Sequence, residues 1–242
     1  MIRFFLAALL LAGCSGGSVG SVPQMLGQVS PKLFLQQAAI FDMVCQAKTA
    51  FKIEPSWQQE LFEKLPKFQS AWDGKAAGLI AASQEMAGRE FSRREFSVAL
   101  TLCSWTPMGD PAFIVSARPY LQGPAQADPK IGSPMGLVAF VSMTHHELLH
   151  SLVDNLVDER FFAGSALLQK YKDEPTNVQV HLHLMAIQKA AYVKLGDEEL
   201  IRNTDQLYAF IGGDYATAWG IVGQEGTEKF LQEAQAFNRK PL

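Results

Sequence analysis

The chain has no excess of positive charge. Its 21 lysines and arginines stand against 24 aspartates and glutamates, a formal net charge of −3. Without a basic stripe to neutralise phosphates, nucleic acid is not an expected partner. Cysteine is scarce, with three in 242 residues. No internal repeat occurs, and no low-complexity tract beyond one short Ser/Gly stretch. Histidine is scarce too, but its five copies fall in two clusters, His145-His146 with His150, and His181 with His183. The remainder, 48% hydrophobic and 19% charged, is ordinary globular composition. A chain of this length buries a core without metal or disulfide staples, so a metal site in it is expected to serve function.

The one early apolar run, Phe4 to Leu11 behind Arg3, is too short to span a membrane and has the pattern of a signal peptide. It ends in Leu11-Ala12-Gly13-Cys14, which resembles the lipobox of bacterial lipoproteins. The resemblance implies cleavage before Cys14, lipid on that cysteine, and a membrane partner reached through the anchor. Ser15 after the cysteine resembles sorting to the outer membrane, with the protein facing the periplasm. The expected organisation is a signal peptide over 1–13, the lipidated Cys14 and a flexible Ser/Gly tether over 14–24, and one domain over 25–242. Export leaves Cys45 and Cys103 where disulfides are permitted. A bridge and two buried free thiols are both open, because sequence carries no distance.

Periodicity predicts an α+β, mostly helical domain. Ser30-Pro31 has the form of a helix cap, and Leu33, Ala38, Phe41 and Val44 suit a helix from Pro31 to about Lys52. Pro55 and Pro66 punctuate two further helical stretches, the second running to about Gly88, with Trp57 and Trp72 as packing anchors. Phe96–Trp105 and Ala112–Arg118 are β-prone runs joined by a Pro/Gly turn, which predicts an antiparallel hairpin. Ser133-Pro134 starts a helix to about Val157 that is apolar on most sides and so expected at the domain centre. A short helix over Phe161–Lys170 follows. Asn177–Leu184 is open between strand and helix, and helix continues to Gly196. Amphipathic helices over Glu198–Leu207, Tyr215–Val222 and Thr227–Phe237 are separated by Gly212-Gly213 and Gly223.

The central helix carries His146-Glu147-Leu148-Leu149-His150. Four residues apart on a helix, the two imidazoles share a face and can bind one metal ion, while Glu147 points about 100° round, towards a water on that ion. The uncharged flanks Thr144, Ser151 and Leu152 complete a pattern that resembles the HExxH zinc metallopeptidases, the zincins. The resemblance implies a zinc cofactor, a zincin-like domain, Glu147 as catalytic base, and a peptide or protein substrate. The metzincin branch is excluded, because Val153 and Leu156 stand where its glycine and histidine belong.

A third ligand is expected from the second cluster. On a helix His181 and His183 diverge by about 160° and only one can ligate; on a strand both face one way. Glu174, Glu159 and Asp154 are further candidates, and His145 points off the metal face. Tyr192, a histidine of the second cluster or another tyrosine could donate to the oxyanion. The reading from another class is a metal-binding or zincin-like lipoprotein of the envelope that recognises a partner without catalysis.

Overall fold

Leu33 and Leu35 are buried while Lys32, Phe34 and Gln36 are exposed. This period-two alternation makes Lys32–Gln37 a strand, β1, in the computed structural model, which describes residues 30–103 and 113–238. The helix expected from Pro31 is therefore shorter, α1 at Ala39–Lys48. Its apolar positions fit both periods, and pairing with a neighbouring strand decides for the first six residues.

Next comes α2, a single helix over Pro55–Ala87. Pro55 takes the first helical position, where its missing N–H costs nothing. Gly88 ends the helix in the left-handed conformation, φ 67°. Pro66 was expected to separate two helices but lies inside this one. Buried Leu61, Phe68, Trp72, Leu79 and Ile80 line the inner face on both sides of it, and that burial outweighs one lost backbone bond.

β2 (Glu95–Thr101) and β3 (Phe113–Ser116) complete a three-stranded sheet in the order β1-β2-β3. Both pairings are parallel: Leu33 lies opposite Phe96, and Val98 opposite Phe113. The antiparallel hairpin is overturned. Apolar alternation and a Pro/Gly connection do not encode strand direction. Moreover, β3 is buried at every residue, as parallel strands packed on both faces are. The sheet is small, and the domain is mostly helical, as composition and periodicity indicated.

Past β3 the chain makes a 3-10 turn (Arg118–Tyr120) and a short α3 (Gln122–Ala127), inside the stretch expected as loop. α4 (Leu137–Leu152) begins three residues beyond Pro134, capped by Gly136. Every residue from Ala139 to Leu149 is buried, against α2, α7, α8 and β3. A 3-10 turn (Asp154–Val157) leads to two short helices where one was expected, α5 (Glu159–Gly164) and α6 (Ala166–Lys170). α7 (Thr176–Leu195) packs on α2, α9 and α10. α8 (Glu198–Ile211), α9 (Gly213–Glu225) and α10 (Thr227–Asn238) close the chain, with Gly223 inside α9. One hydrophobic cluster runs from Leu33 to Ala234.

α1 is held by its polar side. Asp42 is buried and accepts from the Thr101 hydroxyl and from the amides of Leu102 (3.1 Å) and Cys103 (3.3 Å). Burial pushes its carboxyl above the usual range, and those three donors only partly offset it. Beside it the Cys45 and Cys103 sulfurs are bonded, with Cα atoms 6.2 Å apart.

Candidate metal centre

Two buried helices make the site. α4 brings His146 and His150 onto one face, and α7 brings His181 against them. The three rings form a near-equilateral triangle, each pair of centroids 5.1 Å apart. Ring nitrogens of all three, one from each, lie within 4.8 Å of one another, so the cluster can hold a metal ion.

The tautomers fit that use. His181 Nδ1 donates to the Asn177 carbonyl at 2.6 Å, one turn back along α7. Asn177 in turn donates to Asp214 at 3.0 Å. His146 Nδ1 meets the Tyr208 hydroxyl at 2.7 Å. On both rings the other nitrogen, Nε2, is buried without a hydrogen-bond partner. Such orphaned lone pairs are costly unless something accepts them, and a divalent cation does so. Protonation is suppressed as well. Burial, then the charge of His181, holds His150 down at about 3, and burial followed by His150 and His181 drives His146 well below its usual range. Metal ligation needs the neutral imidazole.

Glu147 sits at the edge of this cluster. Its Oε1 is buried without a partner, 4.0 Å from His146 Nε2. Burial pushes its carboxyl up to about 8. Tyr120 and Tyr215 are both shifted upward, chiefly by burial and then by the Glu147 charge, which also contributes at Tyr208. The Tyr215 ring, on α9, lies 5.2 Å from His146 and 4.9 Å from His181. His150 and Tyr215 are half-buried, while His146, Glu147 and His181 are closed off from solvent.

His183 is not part of the cluster. α7 is a helix here, so His183 points away from His181 and meets Glu233 Oε2 at 3.1 Å, between the rings of Phe161 and Phe230. The other proposed third ligands also lie elsewhere. Asp154 pairs with Arg89 at 2.9 Å, Glu159 is exposed on α5, and Glu174 lies just before α7, outside the group. Tyr192 is fully buried and bonded to Gln188 (2.9 Å) and His145 (3.1 Å), which leaves it no role at an oxyanion. His145 is off the metal face and ties α4 to Ser83 of α2 at 2.8 Å.

Sequence reasoning did not single out Tyr120, Tyr208 or Tyr215. Gln188 was within reach, because it follows His181 by seven residues and so shares its helical face. The tyrosines sit outside both histidine clusters, on elements of separate origin, and no spacing rule connects them to the motif. Cys14 and its tether lie outside the described residues, and among the described residues no helix is long and apolar enough to cross a membrane. Comparison with protein-family models, with curated proteins and with solved structures found no match.

Proposed function

We propose that the chain is a zinc-dependent hydrolase acting on peptide bonds, held at the bacterial cell envelope by lipid on Cys14. The observation that carries this reading is the meeting of two orphaned imidazole Nε2 atoms with an orphaned Glu147 Oε1 only 4.0 Å from one of them. His146, His150 and His181 would hold the ion, and a three-nitrogen set leaves a fourth position for substrate or water. Zinc bound there supplies Lewis acidity towards a carbonyl and a water molecule.

The chain's own groups do the rest. Glu147 Oε1, buried without a partner 4.0 Å from His146 Nε2, takes a proton from the attacking water and returns it to the leaving amine. The Tyr215 phenol, kept protonated and facing the histidines, donates to the oxygen on which negative charge develops. Closure of the site around Glu147 keeps these interactions in a low-dielectric setting.

A second reading has its own support. His146 is 0% exposed and Glu147 1%, so only the half-buried side of the cluster, at His150 and Tyr215, faces outward. Such closure also suits a lipoprotein that stores or senses metal without hydrolysis.

A mixed peptide library separates the two. The hydrolase reading expects cleavage by the zinc-loaded protein, loss with chelator, recovery with zinc, and no cleavage by Glu147→Gln with zinc retained. Zinc binding with no cleavage by the wild type overturns the peptidase and leaves the second reading standing.

A further inference from the structure

Tyr208 O–H has one proton and two close neighbours, Gln188 Oε1 at 2.6 Å and His146 Nδ1 at 2.7 Å. Which neighbour receives it decides which His146 nitrogen keeps a lone pair for the cluster. The answer is set further away, by the orientation of the Gln188 amide. Gln188 Nε2 lies 3.1 Å from the Ser142 carbonyl and 2.9 Å from the Tyr192 hydroxyl. A carbonyl oxygen can only accept, so the opposite amide orientation would set two acceptors against each other. Gln188 therefore presents Oε1 to Tyr208. The phenol must give its proton to that oxygen, and its own lone pair can then only accept from His146 Nδ1–H.

The same logic runs on without a conflict. Tyr192 accepts from Gln188, and its hydroxyl also lies 3.3 Å from Ser142 Oγ and 3.1 Å from His145 Nδ1. Ser142 Oγ meets Thr204 Oγ1 at 2.6 Å, and Thr204 donates to the Leu200 carbonyl at 2.7 Å. The members from Ser142 to Tyr208 are all buried. Two backbone carbonyls, of Ser142 and Leu200, fix the Gln188 amide and the Thr204 and Ser142 hydroxyls in a neutral chain across α4, α7 and α8. No carboxylate is involved, although a carboxylate is a common partner for a ligating histidine.

We infer that Gln188 and Tyr208 are positioning residues which lock His146 in the Nδ1–H tautomer, with its Nε2 lone pair presented to the metal cluster before any ion arrives. The inference rests on the metal-site reading, but its first test does not. Nitrogen NMR of the metal-free protein, with histidine labelled, should show His146 protonated at Nδ1. A proton on Nε2 overturns the inference whether or not metal binds, whereas Nδ1–H in a protein that binds no zinc removes the metal reading alone.

Two variants extend the test. Tyr208→Phe removes the 2.7 Å acceptor of His146 Nδ1, leaves only Gln188 Oε1 at 3.4 Å, and should weaken zinc binding about 10- to 100-fold in chelator competition. Gln188→Met keeps the tyrosine but frees its proton to turn towards His146 Nδ1, which forces the wrong tautomer. It should show an Nε2–H signal and a comparable loss of affinity, although it does not touch the Nε2 atoms of the cluster. Folded variants with unchanged tautomer and unchanged affinity overturn the inference. Should either variant fail to fold, the wild-type tautomer still decides it.

Discussion

The His146 and His181 rings stack 5.1 Å apart with 14° between their planes, and each keeps an Nε2 buried with no hydrogen-bond partner. Two neutral imidazoles from different helices gain little by turning bare lone pairs into one buried space. A shared cation would turn that cost into a reason for the arrangement.

The two histidines of α7 should therefore behave as opposites. His181→Ala should abolish tight zinc binding with little change in the fold of the metal-free protein. His183→Ala should keep zinc but lower unfolding free energy by about 1–3 kcal/mol, since it removes the bond to Glu233 and a buried ring packed between Phe161 and Phe230. Zinc titration and urea unfolding of both variants check this. Loss of zinc binding in a folded His183→Ala protein would contradict the assignment.

Asp42 gives a pH signature away from the metal. Its carboxyl is raised by burial, so the folded state prefers it neutral. A raised group contributes stability that is complete below its unfolded pKa of roughly 3.9 and is lost as pH rises through the higher folded value. Asp42→Asn mimics the neutral acid. Its stability relative to wild type should improve as pH rises above 4 and then level off. A difference that stays constant between pH 3 and pH 7 would show that burial does not dominate at this carboxylate.

Reduction of the Cys45–Cys103 bond opens a loop of 58 residues. Loop-closure entropy puts the loss near 4 kcal/mol at most, for a denatured chain without residual structure. Unfolding with and without reductant should show a lower midpoint, while zinc stoichiometry stays the same because neither cysteine belongs to the cluster. A zinc content that falls with reduction would tie the bridge to the site.

Pro66 lies within α2 and is exposed. Pro66→Ala restores a backbone donor and should stabilise the protein by about 1–3 kcal/mol, read as a higher thermal midpoint. A lower midpoint would mean that α2 needs the bend or rigidity of the proline.

The parts of this molecule legible in its sequence are those governed by spacing within one element. His146, Glu147 and His150 sit four residues or fewer apart, and the buried character of α4 follows from its near-continuous apolar residues. His181 stood beside His183 and the carboxylates of Glu174, Glu159 and Asp154 as a third ligand, and the helical path of α7 chose it over His183. β1 was missed because the unbroken apolar run Leu33-Phe34-Leu35 marks neither period by itself, and strand pairing, a long-range contact, made the decision. Strand direction failed for the same reason. Tyr208 and Tyr215 were out of reach altogether: each arrives at the cluster from its own C-terminal helix by tertiary packing, with no local pattern to mark it.

The most direct test of the central claim is zinc content after loading and exhaustive dialysis, measured on wild type, Glu147→Gln and the His146→Ala, His150→Ala double variant. The three-histidine centre predicts about one ion per chain in the first two and almost none in the third. A double variant that keeps its zinc, or a wild type that never holds any, would contradict it.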